Sequence, residues 1–217
     1  MTIVSIREIS KRYKGMLLFE SVSFEMTEGR TYGLVGSNGS GKSVLLKIIC
    51  GFERPDSGEV EIDSRYLSAR RTFPDKFGIT INGPAYLPGL SARNNLLELS
   101  RIRRRIGVEQ INQVMSSLGL DPESRTHVRS FSQGMKHKLA LAQALMEEPE
   151  VLVLDEPFNA LDVESVFAVK ALLRDQQQRG TTIIFTSHHA EDIDDLSDEV
   201  LQISDRSVHP VRADSAR

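Results

Sequence analysis

The amino-acid sequence predicts an α/β fold in which a mainly parallel sheet is covered by helices. Three observations support this prediction: strand-like and helix-like segments alternate late in the chain, a glycine-rich loop lies between a predicted strand and a predicted helix, and the pattern over 88–146 is almost entirely helical. Alternating strands and helices favour a parallel sheet with both faces covered. The helical section is then an insertion into that fold.

The first part of the chain is predicted to be mostly β. The segments VSIREI and SVSFEM alternate apolar and polar residues, as half-buried strands do. TYGLVG is a short apolar run that leads into the glycine-rich loop, and KSVLLKIICG follows with helical spacing and a closing glycine, Gly51. GEVEID and FGITI are predicted to be two further strands.

The middle of the chain is predicted to be helical, and the last part is predicted to alternate between strands and helices. Three helices are expected, in SARNNLLELSRIRRR, VEQINQVMSSLGL and SQGMKHKLALAQALMEE. Strands are expected in EVLVLD, TTIIFTS and EVLQIS, with the helices VESVFAVKALLRDQQQRG and AEDIDDL between them. The arginine run in RIRRRIG is typical of a solvated helix face, although it could instead contact a permease loop or anionic lipid.

Composition excludes several classes of protein. The 217 residues carry a net charge of −3, with 26% charged and 40% hydrophobic residues, which is ordinary for a globular protein and does not indicate nucleic-acid binding. The single cysteine, Cys50, excludes a disulfide framework, and the five histidines lack zinc-site spacing, so we expect no metal cluster. There is no signal-peptide pattern and no apolar run near the roughly 20 residues that span a bilayer.

The glycine-rich loop fits the pattern G-x-x-x-x-G-K-[ST], which usually encloses nucleotide phosphates. Glycines let main-chain N–H groups approach phosphates closely, and the following helix directs its positive end to the same place. Lys42 is expected to reach the β- and γ-phosphates and Ser43 to bind Mg²⁺. The loop residues are Gly36, Ser37, Asn38, Gly39, Ser40, Gly41, Lys42 and Ser43.

Two more segments carry candidate chemistry. EVLVLDEP ends a buried strand in Asp155 and Glu156, at the sheet edge where ligands bind in open α/β folds. Asp155 would hold the Mg²⁺ shell and Glu156 could orient or deprotonate water, unless the strand simply ends in a solvated acidic turn. In SFSQGM, Ser132 is a natural helix N-cap with Gly134 in the first turn, where free N–H groups favour an anion.

These residues resemble the ATP-binding subunit of an ABC transporter over almost the whole chain. GSNGSGKS resembles its Walker A motif, FSQGM lies at its signature sequence, VLVLDEP resembles Walker B, NALD the D-loop and TSH the switch-histidine loop. The resemblance implies a P-loop NTPase (RecA-like) core with an N-terminal antiparallel β subdomain and an inserted α-helical subdomain. The implied division is 1–87 for the β subdomain and first part of the core, 88–146 for the helical subdomain, and 147–217 for the rest of the core.

The resemblance also implies roles for individual residues. Tyr13 would stack on adenine, although it could instead be a tyrosine that closes an edge strand. Val44 joins the phosphate loop, and His188 would contact the γ-phosphate. Asp162 would meet the partner subunit, although locally it could equally be a helix N-cap. Asn82 lies where the family usually has a glutamine, one methylene longer.

The implied function is that of an ATPase motor. Two copies, or this chain and a related one, would close around two Mg-ATP, each held between one chain's phosphate loop and the other's Ser132 and Gly134. Closure would drive a separate integral-membrane permease from the cytoplasmic face of the membrane, and the motifs resemble bacterial exporters most. The alternative is a regulatory ATPase of the same family that acts on a non-transport membrane partner. A guanine-recognition motif of the Asn-Lys-x-Asp type, as in GTPases, is not found.

Overall fold

The computed structural model describes residues 1–67, 74–83 and 85–211, which form two sheets and six α-helices. The smaller sheet is antiparallel and has the strand order β2-β1-β4. Its strands are β1 (Thr2–Tyr13), β2 (Met16–Thr27) and β4 (Ser57–Ile62). The predicted alternation of buried and exposed residues holds in β2 from Val22 to Met26, whereas β1 is buried on both faces from Ile3 to Ile6.

The larger sheet has the strand order β5-β6-β7-β3-β8-β9 and is parallel except at its last strand. Its strands are β3 (Thr31–Gly36), β5 (Phe77–Thr80), β6 (Val151–Leu154), β7 (Thr182–Thr186), β8 (Glu199–Ser204) and β9 (Ser207–Val211). The strand β7 lies between β3 and β6 and is parallel to both. The carboxyl ends of these three strands therefore meet at one edge, where open α/β sheets bind ligands.

The helices connect the strands and cover the larger sheet. They are α1 (Lys42–Ile49), α2 (Ala92–Arg103), α3 (Val108–Ser117), α4 (Gln133–Leu145), α5 (Val163–Gln178) and α6 (Ala190–Leu196), with short 3₁₀ turns at Ser64–Tyr66 and Val128–Ser130. No helix in the part of the chain that the structure describes has both the length and the apolar character needed to cross a membrane.

Two hydrophobic cores lie on opposite faces of the larger sheet. The first joins α1 to the antiparallel sheet and includes the fully buried Phe19, Leu45 and Ile184. The second joins the inserted helices to the other face and includes Leu139 and Phe185. Because successive side chains of a strand point to opposite faces, buried β6 and β7 contribute to both cores.

The predicted fold class is confirmed, with local differences. The strand β9 was not predicted, because SVHPV is polar and contains Pro210; proline is compatible with an edge strand, where β9 lies. The helix α2 ends at Arg103 because Arg104 is left-handed, with φ 54°. The edge-strand explanation of Tyr13 is wrong, since β1 is the central strand of its sheet.

Part of the arginine run forms ion pairs with other residues of the chain. Arg103 forms ion pairs with Glu147 at 3.0 Å and with Asp75 at 3.3 Å, and Arg105 pairs with Asp75 at 2.7 Å. These contacts join the end of α2 to the turn before β5 and to the segment after α4. The prediction of a wholly solvated face is therefore wrong for Arg103, whose side chain is only 24% exposed.

Candidate functional site

The glycine-rich loop joins β3 to α1, as the sequence predicts. Gly39 and Gly41 adopt left-handed backbone conformations with φ of 81° and 106°, which glycine tolerates without steric cost. A Cβ atom at Gly41 would lie 2.7 Å from the ring of Phe19, and one at Gly36 would lie 2.6 Å from Oγ of Ser40. The loop can therefore fold this tightly only with glycine at these positions.

Lys42 begins α1 and is buried within the loop that precedes it. Its Nζ donates hydrogen bonds to the carbonyl oxygens of Gly36, at 2.8 Å, and Ser37, at 3.2 Å. Its side chain is therefore held at the loop, where a fixed cation is suited to a phosphate group. Gly36, Ser37 and Ser40 shape the loop and are not among the side chains that line the adjoining cavity.

A cavity of about 400 Å³ opens beside the loop, within the size range of ligand sites. The residues that line it are Tyr13, Lys14, Met16, Leu18, Asn38, Gly39, Gly41, Lys42, Ser43, Val44 and Glu156. Tyr13 is 40% exposed, and Nζ of Lys14 lies 5.7 Å from the centre of its ring. An exposed ring, a buried ammonium and a carboxylate thus share one cavity, a combination suited to a ligand that has both a flat ring and an anionic group.

Asp155 and Glu156 follow β6 directly and are held by Thr186, the last residue of β7. Oγ1 of Thr186 donates to Oδ1 of Asp155 at 2.9 Å and accepts the N–H of Glu156 at 2.8 Å. The backbone N–H of Asp155 donates to the carbonyl of Thr80 at 2.7 Å. Glu156 itself is left-handed, with φ 54°, an uncommon conformation for a residue other than glycine.

The carboxylate of Glu156 has two side-chain partners. Oε1 contacts Nε2 of His188, and Oε2 accepts from Nδ2 of Asn159. Glu156 and His188 are partly exposed, at 27% and 38%. A carboxylate that faces both the cavity and an imidazole can orient a water molecule and accept its proton.

Hydrogen bonds and an ion pair hold the loop that carries His188. Oγ of Ser187 donates to Asp192 at 2.8 Å and accepts the N–H of His189 at 3.1 Å. Asp192 is buried and pairs with Nζ of Lys170 at 2.7 Å. This network fixes the start of α6 and with it the direction in which His188 leaves β7. His189 is exposed.

Ser132 caps α4, as predicted, and accepts the N–H of Met135 at 3.2 Å. Gly134 lies against the segment after β6, because a Cβ atom there would be 2.7 Å from the carbonyl oxygen of Ala160. One turn later, burial lowers the pKa of His137, opposed by hydrogen bonds to the backbone of Glu156 and Pro157. The first turns of α4 therefore pack directly on the segment that carries Glu156.

Nine of the predicted site residues do not line the cavity. Five of them belong to the glycine-rich loop or to the segments around Glu156, namely Gly36, Ser37, Ser40, Asp155 and His188, and the other four lie elsewhere. Ser132 and Gly134 lie at the start of α4, while Asp162 caps α5 and accepts the N–H of Ser165 at 2.8 Å. The hydrogen bonds from Ser165 lower the pKa of Asp162. Asn82 lies just beyond β5, exposed and left-handed with φ 62°.

Sequence reasoning missed Thr186, Asn159, His137 and the Lys170–Asp192 pair. A threonine at the end of a buried strand becomes informative only when the neighbour of that strand is known. The sequence identified the segment TSH but not the hydrogen bonds of Thr186 to Asp155 and Glu156. Those bonds form because β7 lies next to β6 in the sheet, which is a property of the tertiary structure. Asn159 lies three residues after Glu156, a spacing that is visible in the sequence.

The site residues suit a magnesium nucleotide. Ser43 and Asp155 supply hydroxyl and carboxylate oxygens, which Mg²⁺ prefers. Within the ranges that the structure describes, no cluster of three or more His, Cys, Asp or Glu side chains could hold a metal ion. A Mg²⁺ ion here would thus rely on phosphate oxygens as well, as is usual for this ion.

Comparisons with known proteins identify the family of this chain. The family model of ABC transporters matches residues 19–159. The uncharacterized ABC transporter ATP-binding protein YybJ of Bacillus subtilis is 37% identical over 202 residues, which cover 93% of each chain. The bacitracin transport ATP-binding protein BcrA of Bacillus licheniformis is 31% identical, over 92% of this chain and 66% of its own length.

Solved structures show the same fold. The chain superposes on the ATP-binding cassette MJ0796, solved as a dimer in a post-hydrolysis state bound to ADP and Pi, with a TM-score of 0.85 and 24% identity over 97% of this chain and 99% of the other. The fold and the phosphate-loop site thus define a P-loop ATP-binding protein. The chain belongs to the ABC transporter family, as one of its ATP-binding proteins.

Proposed function

We propose that this chain binds and hydrolyses Mg-ATP and thereby powers a separate membrane permease. The observation that carries the proposal is the cavity in which Lys42, Ser43 and Glu156 meet. A buried ammonium, a magnesium-ligating hydroxyl and a carboxylate base are the groups that phosphoryl transfer to water requires. Family membership supports ATP as the nucleotide.

Each residue has a distinct task in this proposal. Lys42 and the loop N–H groups bind the phosphates, Tyr13 stacks on the base, and Ser43 and Asp155 hold Mg²⁺. When bound, Mg²⁺ neutralises negative charge on the phosphates. Glu156 orients the attacking water and accepts its proton, and His188 holds the Glu156 carboxylate in place.

We further propose that the active form is a dimer with composite sites. Ser132, Gly134 and Asp162 lie outside the cavity of their own chain. They are available to a nucleotide on a second copy or on a related ATP-binding subunit, since a capped helix start with free N–H groups favours an anion. Asn82, beyond β5, is assigned to the nucleotide site of its own chain.

The proposed partner is an integral-membrane permease on whose cytoplasmic side the dimer acts, and the proposed direction is export. Support comes from the family and from relatives whose names specify bacitracin transport and, at 33% identity, Nod factor export in Rhizobium etli. Other relatives are import proteins, for example one for spermidine and putrescine at 30% identity. This chain covers 66%, 65% and 61% of the length of these three relatives. Because their names specify different cargoes, we assign the choice of cargo to the permease.

Steady-state hydrolysis tests the proposal. The purified chain should hydrolyse ATP only with Mg²⁺, at a specific rate that rises with protein concentration as dimers form. Lys42→Ala should abolish turnover and most ATP affinity, because it removes the cation buried at the loop. Lys47→Ala, in the last turn of the same helix, is the matched control. Wild-type affinity in a folded Lys42→Ala variant would exclude this phosphate site.

A further inference from the structure

Two threonines end the strands on either side of β6, and their hydroxyl groups differ in environment. Thr80 is the last residue of β5 and Thr186 the last residue of β7, and both side chains are buried. Among the described residues, the hydroxyl of Thr80 has no hydrogen-bond partner. The hydroxyl of Thr186 donates to the carboxylate of Asp155 and accepts the N–H of Glu156.

Both hydrogen bonds of Thr186 fall on the acidic pair to which metal and water chemistry are assigned. The bond of 2.9 Å to Oδ1 restricts rotation of the Asp155 carboxylate and leaves Oδ2 as the freer oxygen. The bond of 2.8 Å to the N–H of Glu156 lies at a residue with φ 54°. Such a conformation is unfavourable for a residue other than glycine and persists only where surrounding contacts enforce it.

The position of Thr186 makes this restraint rigid. The residue is fully buried at the end of a strand that pairs with both β3 and β6. The same strand end leads through Ser187 to His188, which contacts the Glu156 carboxylate. One short segment thus holds the backbone of Glu156 from one side and its carboxylate from the other.

We propose that Thr186 is a positioning residue that sets both the magnesium affinity of Asp155 and the reactive orientation of Glu156. The proposal rests on the proposed function, since it assigns a further residue to the same site. Partners that orient a metal ligand are typically worth 10–100-fold in metal affinity or activity. Loss of the Thr186 hydroxyl should therefore weaken Mg²⁺ binding by a factor in that range and lower kcat. The affinity for metal-free ATP should change less.

The test compares three variants with the wild-type chain. Thr186→Val keeps the shape and removes the hydroxyl, Thr186→Ser keeps the hydroxyl and removes a methyl group, and Thr80→Val removes the unpartnered hydroxyl at the equivalent strand end. Binding of a fluorescent ATP analogue is titrated in EDTA and at increasing Mg²⁺, and kcat and KM are measured separately.

The Mg²⁺ midpoint is the Mg²⁺ concentration at which half of the metal-dependent change in analogue binding has occurred. We expect this midpoint to be 10–100-fold higher in Thr186→Val than in the wild-type chain. Thr186→Ser and Thr80→Val should have midpoints near the wild-type value. A wild-type Mg²⁺ midpoint in Thr186→Val, or an equal loss in Thr186→Ser, would overturn the proposal. If Thr186→Val does not fold, Thr186→Ala replaces it and is compared with Thr186→Ser under the same criteria. Absence of ATP binding by the wild-type chain would instead contradict the proposed function.

Discussion

Nε2 of His188 contacts Oε1 of Glu156 at the edge where β6 and β7 end. The two residues are separated in sequence by the whole of α5 and meet because their strands are neighbours. The other oxygen of Glu156 is occupied by Asn159. A carboxylate held at both oxygens beside a phosphate-binding loop is suited to water activation, and its chemistry can be separated from nucleotide binding.

Glu156→Gln should keep nucleotide affinity and slow hydrolysis by 10²–10⁴-fold, the usual contribution of a general base. The amide preserves the shape of the side chain and removes the proton acceptor. Glu148→Gln is the control, because Glu148 is an exposed glutamate with a similar left-handed backbone, φ 50°. The rate of ATP hydrolysis in a single turnover is the measurement. A wild-type rate in Glu156→Gln would show that another group is the general base, with His188 the first candidate.

Tyr13→Ala should weaken ATP binding by about 1–3 kcal/mol, the range measured for bases on aromatic rings. Tyr13→Phe should bind as the wild-type chain does, because stacking needs the ring and not the hydroxyl. Competition between ATP and the fluorescent analogue provides the measurement. If Tyr13→Ala binds as tightly as wild type, the base lies elsewhere in the cavity.

The pH dependence of stability should report on His137. Burial lowers the pKa of His137 in the folded chain below the ordinary value of 6.5. As pH falls through 6.5 the unfolded chain binds a proton that the folded chain resists, so the free energy of unfolding falls. His137→Gln should flatten this fall between pH 7.5 and 5.5 in urea titrations, whereas His209→Gln, at an exposed histidine, should not. Equal slopes in all three proteins would contradict the assignment.

Much of the fold was predictable because local signals agreed with the tertiary structure. Apolar runs before the glycine-rich loop and before Asp155 identified β3 and β6, and helical spacing identified α4. The polar, proline-containing β9 has no such signal, and its pairing with β8 depends on a turn at Asp205 and Arg206.

The loop residues of the site follow a local pattern, and the acidic pair follows a strand. The order of strands could not be obtained in this way. That β7 lies between β3 and β6 is decided by packing of the whole sheet, and this placement brings Thr186 and His188 to Glu156. The roles proposed for Ser132 and Asp162 depend on a second chain, and they come from the family resemblance of their motifs and not from contacts within this chain.

We propose that each nucleotide is held between the phosphate loop of one chain and the start of α4 of another. Lys42→Ala empties the loop, and Ser132→Arg places a bulky side chain at the exposed helix start. Each variant alone has two damaged sites and should be inactive. In a mixed dimer both changes can fall on one composite site, which leaves the second site intact.

Mixing the two variants is therefore the most direct measurement, with light scattering and hydrolysis recorded together at saturating Mg-ATP. We expect nucleotide-dependent dimers and partial hydrolysis to appear in the mixture and in neither variant alone. Adding Glu156→Gln to both chains should trap the mixed dimer for sizing. A protein that stays monomeric at high Mg-ATP, with turnover per chain independent of concentration, would contradict the composite site and the motor function with it.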